Sequence, residues 1–372
     1  MLYIHVPFCQ QACSYCDFYF VTNLKHKAEY VKAVQNEIII RKDEIPQTIE
    51  SIYFGGGTPS KLNLLEIDRI LDVVNSTFKV TSIAEITLEA NPEDINREYL
   101  KGLMQIGINR LSIGIQSFDD EELKFMHRTH NAQKGEYSVK LSQDTGVENI
   151  SIDLIYGSPL LSLSQWRKHI KKAIDLQVPH LSAYNLTIEP KTVLYQKVQK
   201  GITAPVDEEK SATQFKMLVE MLCNTGFEHY EISNFALPNR YSRHNTNYWK
   251  YLPYLGIGPS AHSFDGNTRS WNVRNINFYI SQLLKNQLSI EQKESLSLSQ
   301  QANEKLMLGL RTQWGANLDE INQKTGIDFF EIKSRQIEQF LTHKLLIISQ
   351  KTIYLTLEGK LLADYITEKL MI

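Results

Sequence analysis

The sequence predicts an α/β fold: a partial (β/α)6 barrel of the TIM type, followed by a smaller α+β module that resembles a winged helix. Short runs rich in Ile, Leu and Tyr alternate with stretches whose apolar residues recur every three or four positions. Such alternation is typical of parallel strands joined by helices. The repeat of roughly 25 to 50 residues suits a crossover helix with its loops. Near the end of the chain, helical stretches precede a pair of strand-like runs.

Several of the strand-like runs end in polar or glycine-rich sequence. In parallel α/β folds the binding and catalytic groups gather at the carboxyl ends of the strands, so we expect the functional site there. A barrel is favoured over an open doubly wound sheet, because cysteines follow the first strand where a G-x-G-x-x-G nucleotide fingerprint would stand. The predicted strands are 2–6 (LYIHV), 51–54 (SIYF), 85–89 (EITLE), 110–115 (RLSIGI), 149–155 (NISIDLI) and 180–186 (HLSAYNL).

Three regions are predicted along the chain. Residues 1–190 form the barrel, residues 191–299 complete it and carry a polar, aromatic loop, and residues 300–372 form the winged-helix-like module. Winged helices often bind DNA, yet this module has nine Lys and Arg against nine Asp and Glu. Because a phosphate-binding face needs a surplus of basic groups, we predict a packing or partner-docking role and no nucleic-acid binding.

Composition predicts a soluble, cytoplasmic protein. Of the 372 residues, 42% are hydrophobic and 22% are charged, and the formal net charge is −2. No apolar run approaches the roughly 18 to 20 residues that span a bilayer, and no basic segment precedes an apolar one at the start. Because the cytoplasm is reducing, clustered cysteines there are better interpreted as metal ligands or redox groups than as disulfides. We expect Cys223, alone in a helical stretch, to be a small buried core residue.

The cysteines Cys9, Cys13 and Cys16 follow the first predicted strand in the pattern C-x3-C-x2-C. A structural zinc site needs four ligands, and His5 is near enough in sequence to be considered as the fourth. Iron–sulfur clusters with four irons normally use four cysteines, so three would leave one iron without a protein ligand. Such an open iron can bind a substrate, and this interpretation explains a set of three better than zinc does.

C-x3-C-x2-C after the first strand of a parallel βα array resembles the signature of the radical S-adenosylmethionine (SAM) enzymes. The resemblance implies a [4Fe–4S] cluster whose open iron chelates the amino and carboxylate groups of SAM. It also implies that an electron from the cluster can cleave the sulfonium to methionine and a deoxyadenosyl radical. The GGGTP loop (55–59) after the second strand resembles the family's loop for the methionine part of SAM, since glycines let the backbone approach a ligand closely.

Further motifs resemble the subfamily that holds oxygen-independent coproporphyrinogen III oxidases and haem chaperones of the HemW type. They are YIHVPFC, YFGGGTPS, LEANPE, NRLSIGIQSF, HRTH and IDLIYGSP, and they occur in the family order over nearly the whole chain. The match implies a set of SAM contacts. Tyr3 would lie near SAM, Gly56, Gly57 and Thr58 would contact its methionine part, and Glu89, Gln116, Arg128 and Asp153 would contact the rest.

Two functions from different classes are compatible with this resemblance: a radical SAM dehydrogenase acting on coproporphyrinogen III, and a haem carrier that keeps the same scaffold. The oxidases extend the motif to C-x3-C-x2-C-x-C, and here Phe18 occupies the last position. They also carry an extension before the first strand, whereas only Met1 and Leu2 precede Tyr3. Both differences favour the carrier.

The segment RHNTNYW (243–249) resembles the H-N-x-x-Y-W motif of the haem chaperones, which comprises His244, Asn245, Tyr248 and Trp249 here. The resemblance implies that His244 ligates haem iron, with His262 as a rival ligand. Tyr248 and Trp249, with Tyr251 and Tyr254 beyond them, offer flat apolar surface for a porphyrin. Arg240 and Arg243 are candidates for pairing with the haem propionates.

We therefore expect a haem chaperone with a [4Fe–4S] cluster and bound SAM. Its partners would be haem and haem-accepting proteins, among them membrane respiratory proteins, and it could form a homodimer. The alternative is an oxygen-independent coproporphyrinogen III oxidase of porphyrin biosynthesis. Whether the chain catalyses a reaction is left open by the sequence.

Overall fold

Parallel strands alternating with helices form the first half of the computed structural model, which describes residues 1–46 and 48–372. The strands start and end within a few residues of the predicted runs, so the predicted α/β class is confirmed. In chain order the elements are β1 (Leu2–Val6), α1 (Lys27–Ile40), β2 (Thr48–Gly56), α2 (Leu64–Thr77), β3 (Lys79–Ala90), α3 (Arg97–Gln105), β4 (Arg110–Gln116), α4 (Asp120–Phe125), α5 (Ala132–Thr145), β5 (Ile150–Tyr156), α6 (Leu163–Asp175) and β6 (His180–Asn185).

The next segment adds strands to both edges of this sheet. It contains α7 (Val193–Gln199), α8 (Glu208–Cys223), β7 (Glu228–Glu231), β8 (Asn234–Ala236), α9 (Arg243–Trp249), β9 (Leu255–Ile257), β10 (His262–Phe264), β11 (Thr268–Asn272), α10 (Ile276–Leu283) and β12 (Ile290–Ser295). Within the described residues the main sheet has nine strands in the order β7-β8-β6-β5-β4-β3-β2-β1-β9. Strands β1 to β6 and β9 are parallel to one another. At the other edge β8 runs antiparallel to β6, and β7 runs antiparallel to β8. Because β1 and β6 do not pair, the barrel is partial.

Residues alternate along the barrel strands between an apolar face and a polar one. In β2, Ile52 and Phe54 belong to the main core. Ser51 and Tyr53, which alternate with them, contact polar or aromatic side chains inside the barrel. Successive strand residues point to opposite faces, so one face packs under the helices and the other lines the interior. On β2 the interior face therefore carries polar and aromatic side chains.

Helix α9 connects the two sides of the open sheet, since the chain runs from β8, which lies next to the edge strand β7, through α9 to β9 on the opposite edge. The backbone N–H of His244 in α9 donates to Glu85 Oε1 on β3 at 3.1 Å. Arg243 donates to the carbonyl of Ile83 at 2.7 Å. Ile83 and Glu85 precede Thr87, where the pairing of β3 with β4 begins. The haem-motif segment thus crosses the barrel near this start of the pairing.

The C-terminal module has its own small sheet and core. Its elements are α11 (Leu298–Leu310), β13 (Ala316–Asn317), α12 (Leu318–Thr325), α13 (Phe329–Thr342), β14 (Leu346–Ser349), β15 (Thr352–Leu355), α14 (Leu357–Leu361) and α15 (Ala363–Leu370). The order of helices and antiparallel hairpin confirms the smaller α+β module. Its core draws on residues 302–370, while the main core draws on residues 2–283. The predicted division at residues 190 and 299 remains a prediction.

The helical stretch that contains Cys223 is α8, but the expected burial of Cys223 is wrong. The buried residues of α8 recur at helical spacing and end at Leu222, and the next residue turns about 100° away toward solvent. Within the part of the chain that the structure describes, no helix has both the length and the apolar character needed to cross a membrane.

Candidate cofactor and haem sites

A cavity of about 450 Å³ lies at the carboxyl ends of the barrel strands, where the sequence predicted the site. Its walls come from the loop after β1 and from the ends of β2 to β6. The cavity brings together nearly all the residues predicted for the cluster and SAM: Cys9, Cys13, Cys16, Gly56, Gly57, Thr58, Glu89, Gln116, Arg128 and Asp153. Tyr3 is not among its lining residues; its hydroxyl contacts His5 Nδ1 at 3.1 Å and its ring stacks on Tyr53.

The cysteine thiols are held by polar neighbours. Thr58 Oγ1 donates to Cys9 Sγ at 3.6 Å, and Arg128 Nη1 donates to Cys13 Sγ at 3.4 Å. Burial raises the pKa of the Cys9 thiol and raises the pKa of Cys16 to about 12. Such thiols keep their protons at neutral pH unless a cation takes their place, because a desolvated thiolate is unstable. These cysteines would therefore become thiolates only when a bound cation compensates for their charge.

The zinc alternative finds no free fourth ligand at His5. Its Nδ1 contacts the Tyr3 hydroxyl, and its Nε2 lies 2.9 Å from the carbonyl oxygen of Tyr19. Among the described residues, no set of His, Cys, Asp and Glu side chains is gathered closely enough to enclose a single metal ion. A [4Fe–4S] cluster binds each cysteine at a different iron, so the three thiols fit the cluster better than they fit zinc.

Arg128 is the cation of this cavity, and Asn91 holds it. Arg128 Nη2 donates to Asn91 Oδ1 at 2.7 Å and to the carbonyl of Gly114 at 2.9 Å. These bonds place a planar guanidinium beside the cysteine loop, where it can pair with a carboxylate. Sequence reasoning missed Asn91, although it lies in the quoted LEANPE motif directly after the end of β3.

Burial raises the pKa of both acidic groups of the cavity that were predicted to contact SAM, Glu89 and Asp153. Burial raises the pKa of Glu89 to about 7, although the hydroxyl of Tyr53 donates to Glu89 Oε1 at 2.7 Å and opposes the shift. The N–H of Gly56 donates to Glu89 Oε2 at 3.1 Å. Burial also raises the pKa of Asp153, which accepts from Ser112 Oγ at 3.3 Å. A bound cation or polar ligand would favour their ionised forms.

The glycine loop after β2 needs its glycines because it packs closely against β1. Gly56 has φ of 108°, and a Cβ there would lie 2.5 Å from the His5 ring. A Cβ on Gly57 would lie 2.8 Å from the carbonyl carbon of Pro7, and the N–H of Gly57 donates to the Val6 carbonyl. The loop therefore exposes backbone to the cavity next to the cysteines.

His244, the predicted haem ligand, lies in the barrel interior at 1% exposure. Its Nδ1 is 2.9 Å from Ser51 Oγ, and its Nε2 is 3.1 Å from the hydroxyl of Tyr248. Burial lowers the pKa of His244 to about 3, so the imidazole is neutral. Ser51 precedes Gly56 by five strand residues, so the contact of His244 with β2 lies roughly 16 Å along the strand from the glycine loop. Both ring nitrogens are engaged in this conformation.

A chain of contacts connects the haem motif with the cavity. The ring of Tyr53 stacks on His244 with centroids 5.1 Å apart, while its hydroxyl bonds Glu89. Tyr53 was also missed from the sequence, although it shares the interior face with Ser51 through the two-residue period of β2. Tyr53 therefore contacts the haem motif through its ring and the cavity through its hydroxyl.

The remaining motif residues face different surroundings. Asn245 Nδ2 donates to Glu231 Oε1 at 3.5 Å, and the ring of Tyr248 packs edge-on against Tyr254. Trp249 lines a second cavity, described below. The rival ligand His262 is exposed and stacks on Trp271 with centroids 5.6 Å apart. His262 is thus open to solvent in this conformation, whereas His244 is not.

Comparison with known families agrees with the motifs. The model of the radical SAM superfamily matches residues 3–173, and the model of the HemN C-terminal domain matches residues 296–362. A solved structure of coproporphyrinogen III oxidase (HemN) from Escherichia coli, described as a radical SAM enzyme, superposes with a TM-score of 0.86 at 22% identity. It covers 100% of this chain and 89% of the other. At that identity the likeness shows the shared fold, including the barrel and the C-terminal module.

Curated relatives match over most or all of the chain. Heme chaperone HemW of Bacillus subtilis is 34% identical over 367 residues, covering 97% of this chain and 96% of the relative. Heme chaperone HemW of Lactococcus lactis is 32% identical and covers 100% and 97%. The Escherichia coli protein of the same name is 36% identical over 70% of this chain and 69% of its own. The chain therefore belongs to the radical SAM superfamily and, within it, to the HemW family.

Proposed function

We propose that this chain is a haem chaperone, which binds haem and transfers it to haem-dependent proteins. The observation that carries the proposal is the near full-length similarity to relatives named heme chaperone HemW, at 34% and 32% identity. The H-N-x-x-Y-W motif in α9 and Phe18 in place of a further cysteine support it. Phe18 lines the cavity and is 67% exposed. It occupies the position at which the oxidases have a further cysteine.

Membership of the radical SAM superfamily implies a [4Fe–4S] cluster and SAM. Cys9, Cys13 and Cys16 would hold the cluster, and Arg128, kept in place by Asn91, would pair with the SAM carboxylate. Asp153 suits the ribose hydroxyls. The cluster and SAM together would supply one-electron chemistry when bound. The side chains of this cavity orient the ligand and keep it among partly dehydrated polar groups. Cys13→Ala should abolish the brown iron–sulfur absorbance, while Cys223→Ala, which removes an exposed thiol, should leave it unchanged.

For haem, we keep His244 as the proposed iron ligand. Its neutral imidazole can bind a metal, but one ring nitrogen must first be released. Nε2 is the better candidate, because its partner Tyr248 belongs to the same motif and lies on the same short helix. His244→Ala should then alter the haem absorbance spectrum, and Ser51→Ala, which frees only Nδ1, should alter it less. If His262→Ala alone changes the spectrum, the rival ligand is correct.

The decisive experiment uses purified protein with a reconstituted cluster under anaerobic conditions. One sample receives haem and then an apo-acceptor protein; another receives coproporphyrinogen III with SAM and a reductant. We expect stoichiometric haem binding and restoration of acceptor activity, with no porphyrinogen turnover. Conversion of coproporphyrinogen III to protoporphyrinogen at a useful rate would instead establish the oxidase alternative. The homodimer, the cytoplasmic location and membrane respiratory acceptors remain predictions and are not needed for this proposal.

A further inference from the structure

A second cavity, of about 360 Å³, lies between the C-terminal end of α9 and the C-terminal module. One wall is formed by Trp249 and Tyr251, which end the haem-motif segment. The other wall includes Lys305 on α11 and Trp314, which precedes β13. The haem motif thus faces two places: His244 points into the barrel, and Trp249 faces this cavity.

Two buried donors lie in this wall. Trp249 Nε1 has no hydrogen-bond partner among the described residues, and the enclosed hydroxyl of Tyr251 has only the carboxylate of Glu304 beside it. Tyr251 as a whole is 9% exposed. The neighbouring carboxylate of Glu304 is taken up by Arg269, which donates to its two oxygens at 2.9 and 2.8 Å. Unpaired buried donors are costly, so an acceptor supplied by a ligand would stabilise this wall.

Lysines surround the same aromatic rings. Lys250 Nζ lies 5.5 Å from the ring centroid of Trp314, and Lys305 and Lys324 lie 5.8 and 5.3 Å from that of Tyr251. Within residues 1–46 and 48–372, these three ammonium groups form no ion pair with a carboxylate. Glu320 also lines the cavity, but it leaves a surplus of positive charge.

The backbone holds Tyr251 in a conformation that helices usually give to glycine. Tyr251 has φ of 59° and follows α9 at the position where a left-handed residue closes the helix. Its N–H donates to the Tyr248 carbonyl at 3.0 Å, and the N–H of Leu252 donates to the Asn247 carbonyl at 3.1 Å. A side chain in this conformation costs free energy, and the two hydrogen bonds hold the ring of Tyr251 at the cavity wall.

We propose that this cavity binds the carboxylate-bearing edge of a tetrapyrrole, with the lining residues Lys250 and Lys305 pairing with the carboxylates and Lys324 adding positive charge beside them at the ring of Tyr251. Trp249 and Tyr251 supply the hydrogen-bond donors, and the aromatic rings pack against the macrocycle. The inference rests on the proposed function, because haem is the cargo that brings such carboxylates. It adds the C-terminal module to the haem site. Arg240 and Arg243, the propionate partners first suggested by the sequence, are not lining residues of this cavity.

The test compares full-length, cluster-reconstituted variants by titration with haem and with iron-free protoporphyrin IX, followed by absorbance. Lys305→Gln/Lys324→Gln should weaken binding of both compounds about tenfold or more, because the site reads carboxylates rather than iron. The matched control Lys168→Gln/Lys171→Gln removes the same charge from the outer helix α6 and should change binding less than about twofold. Lys250→Gln tests the opposite side of the cavity independently.

The outcomes separate the two proposals. If the wild-type protein binds haem and the Lys305/Lys324 variant binds both compounds as tightly as the control variant does, the cavity assignment is wrong and the chaperone proposal stands. If the wild-type protein binds neither compound, the chaperone proposal fails and this inference fails with it. Equal weakening by the cavity and control variants would indicate general charge attraction and would also overturn the assignment.

Discussion

Glu37 on α1 is a buried carboxylate on which elements from distant parts of the chain converge. Its Oε1 accepts from Arg41 Nη1 at 2.9 Å and from Asn272 Nδ2 at 2.7 Å. Its Oε2 accepts from the N–H of Gly258 at 2.9 Å and from the hydroxyl of Tyr279 at 2.6 Å. Each carboxylate oxygen of Glu37 accepts from two donors. In Glu37→Gln one oxygen is replaced by an NH2 group, which faces two donors whichever way the amide is turned. The substitution therefore disturbs the attachment of β9 and α10 to the barrel.

The magnitude follows from the burial of the pair. Glu37 and Arg41 are each 1% exposed, and breaking such a pair leaves a buried charge without compensation, which typically costs about 3 to 5 kcal/mol. Arg41 keeps a second partner in the variant, because its Nη2 lies 2.7 Å from Glu44 Oε2 and the Glu44 side chain is 40% exposed. We therefore expect Glu37→Gln to lower the free energy of unfolding by about 3 kcal/mol, at the lower end of that range.

The assay is anaerobic urea unfolding followed by far-ultraviolet circular dichroism. Glu136→Gln is the matched control, because Glu136 pairs with Lys140 and Lys172 at the surface and should cost less than about 1 kcal/mol. If Glu37→Gln and Glu136→Gln lower the unfolding free energy equally, the reasoning from burial is refuted.

Three other substitutions test the site and the pH dependence of stability. Asn91→Ala removes the acceptor that holds Arg128, so SAM should bind about tenfold more weakly in calorimetry, with unchanged iron content. Gly56→Ala places a methyl group 2.5 Å from the His5 ring, so SAM binding should be lost in the same titration. Burial lowers the pKa of His229 to about 3, so acidification from pH 6.5 to 5 adds protons at this site only in the unfolded state. His229 should contribute about 1.6 kcal/mol to the loss of stability, and His229→Gln should remove that share in urea unfolding while the share of other buried histidines such as His244 remains.

Each of these predictions has a matched control. For the pH dependence, the control is His343→Gln, because His343 is exposed, whereas His229 is mostly buried. Lys360 Nζ lies 3.0 Å from His229 Nδ1 and further lowers the pKa of His229 in the folded state. For the glycine loop it is Gly226→Ala, which also has positive φ but no atom within 4 Å of the new Cβ. For Asn91→Ala it is Asn149→Ala, on the turn before β5 and away from the cavity. A control that matches its test variant would contradict the corresponding prediction.

Much of the fold could be predicted because strand and helix periods are local properties. The six parallel strands follow from short apolar runs, and α1 and α2 follow from apolar residues at helical spacing. The C-terminal helices and hairpin were predictable for the same reason. Cys223 was mispredicted because burial of a cysteine depends on the direction that its helix faces, which one residue changes by about 100°.

By itself, the sequence determined the class of fold, the cysteine pattern and the edge of the sheet where the cofactor residues meet. That edge was predictable because parallel strands bring their carboxyl ends together whatever lies between them. Only the tertiary structure decided which side chains become partners. It placed Asn91 on Arg128, turned His244 inward onto Ser51 and Tyr248, and brought Lys305 to Tyr251. These contacts join residues far apart in the chain, and their geometry depends on packing that no local pattern records.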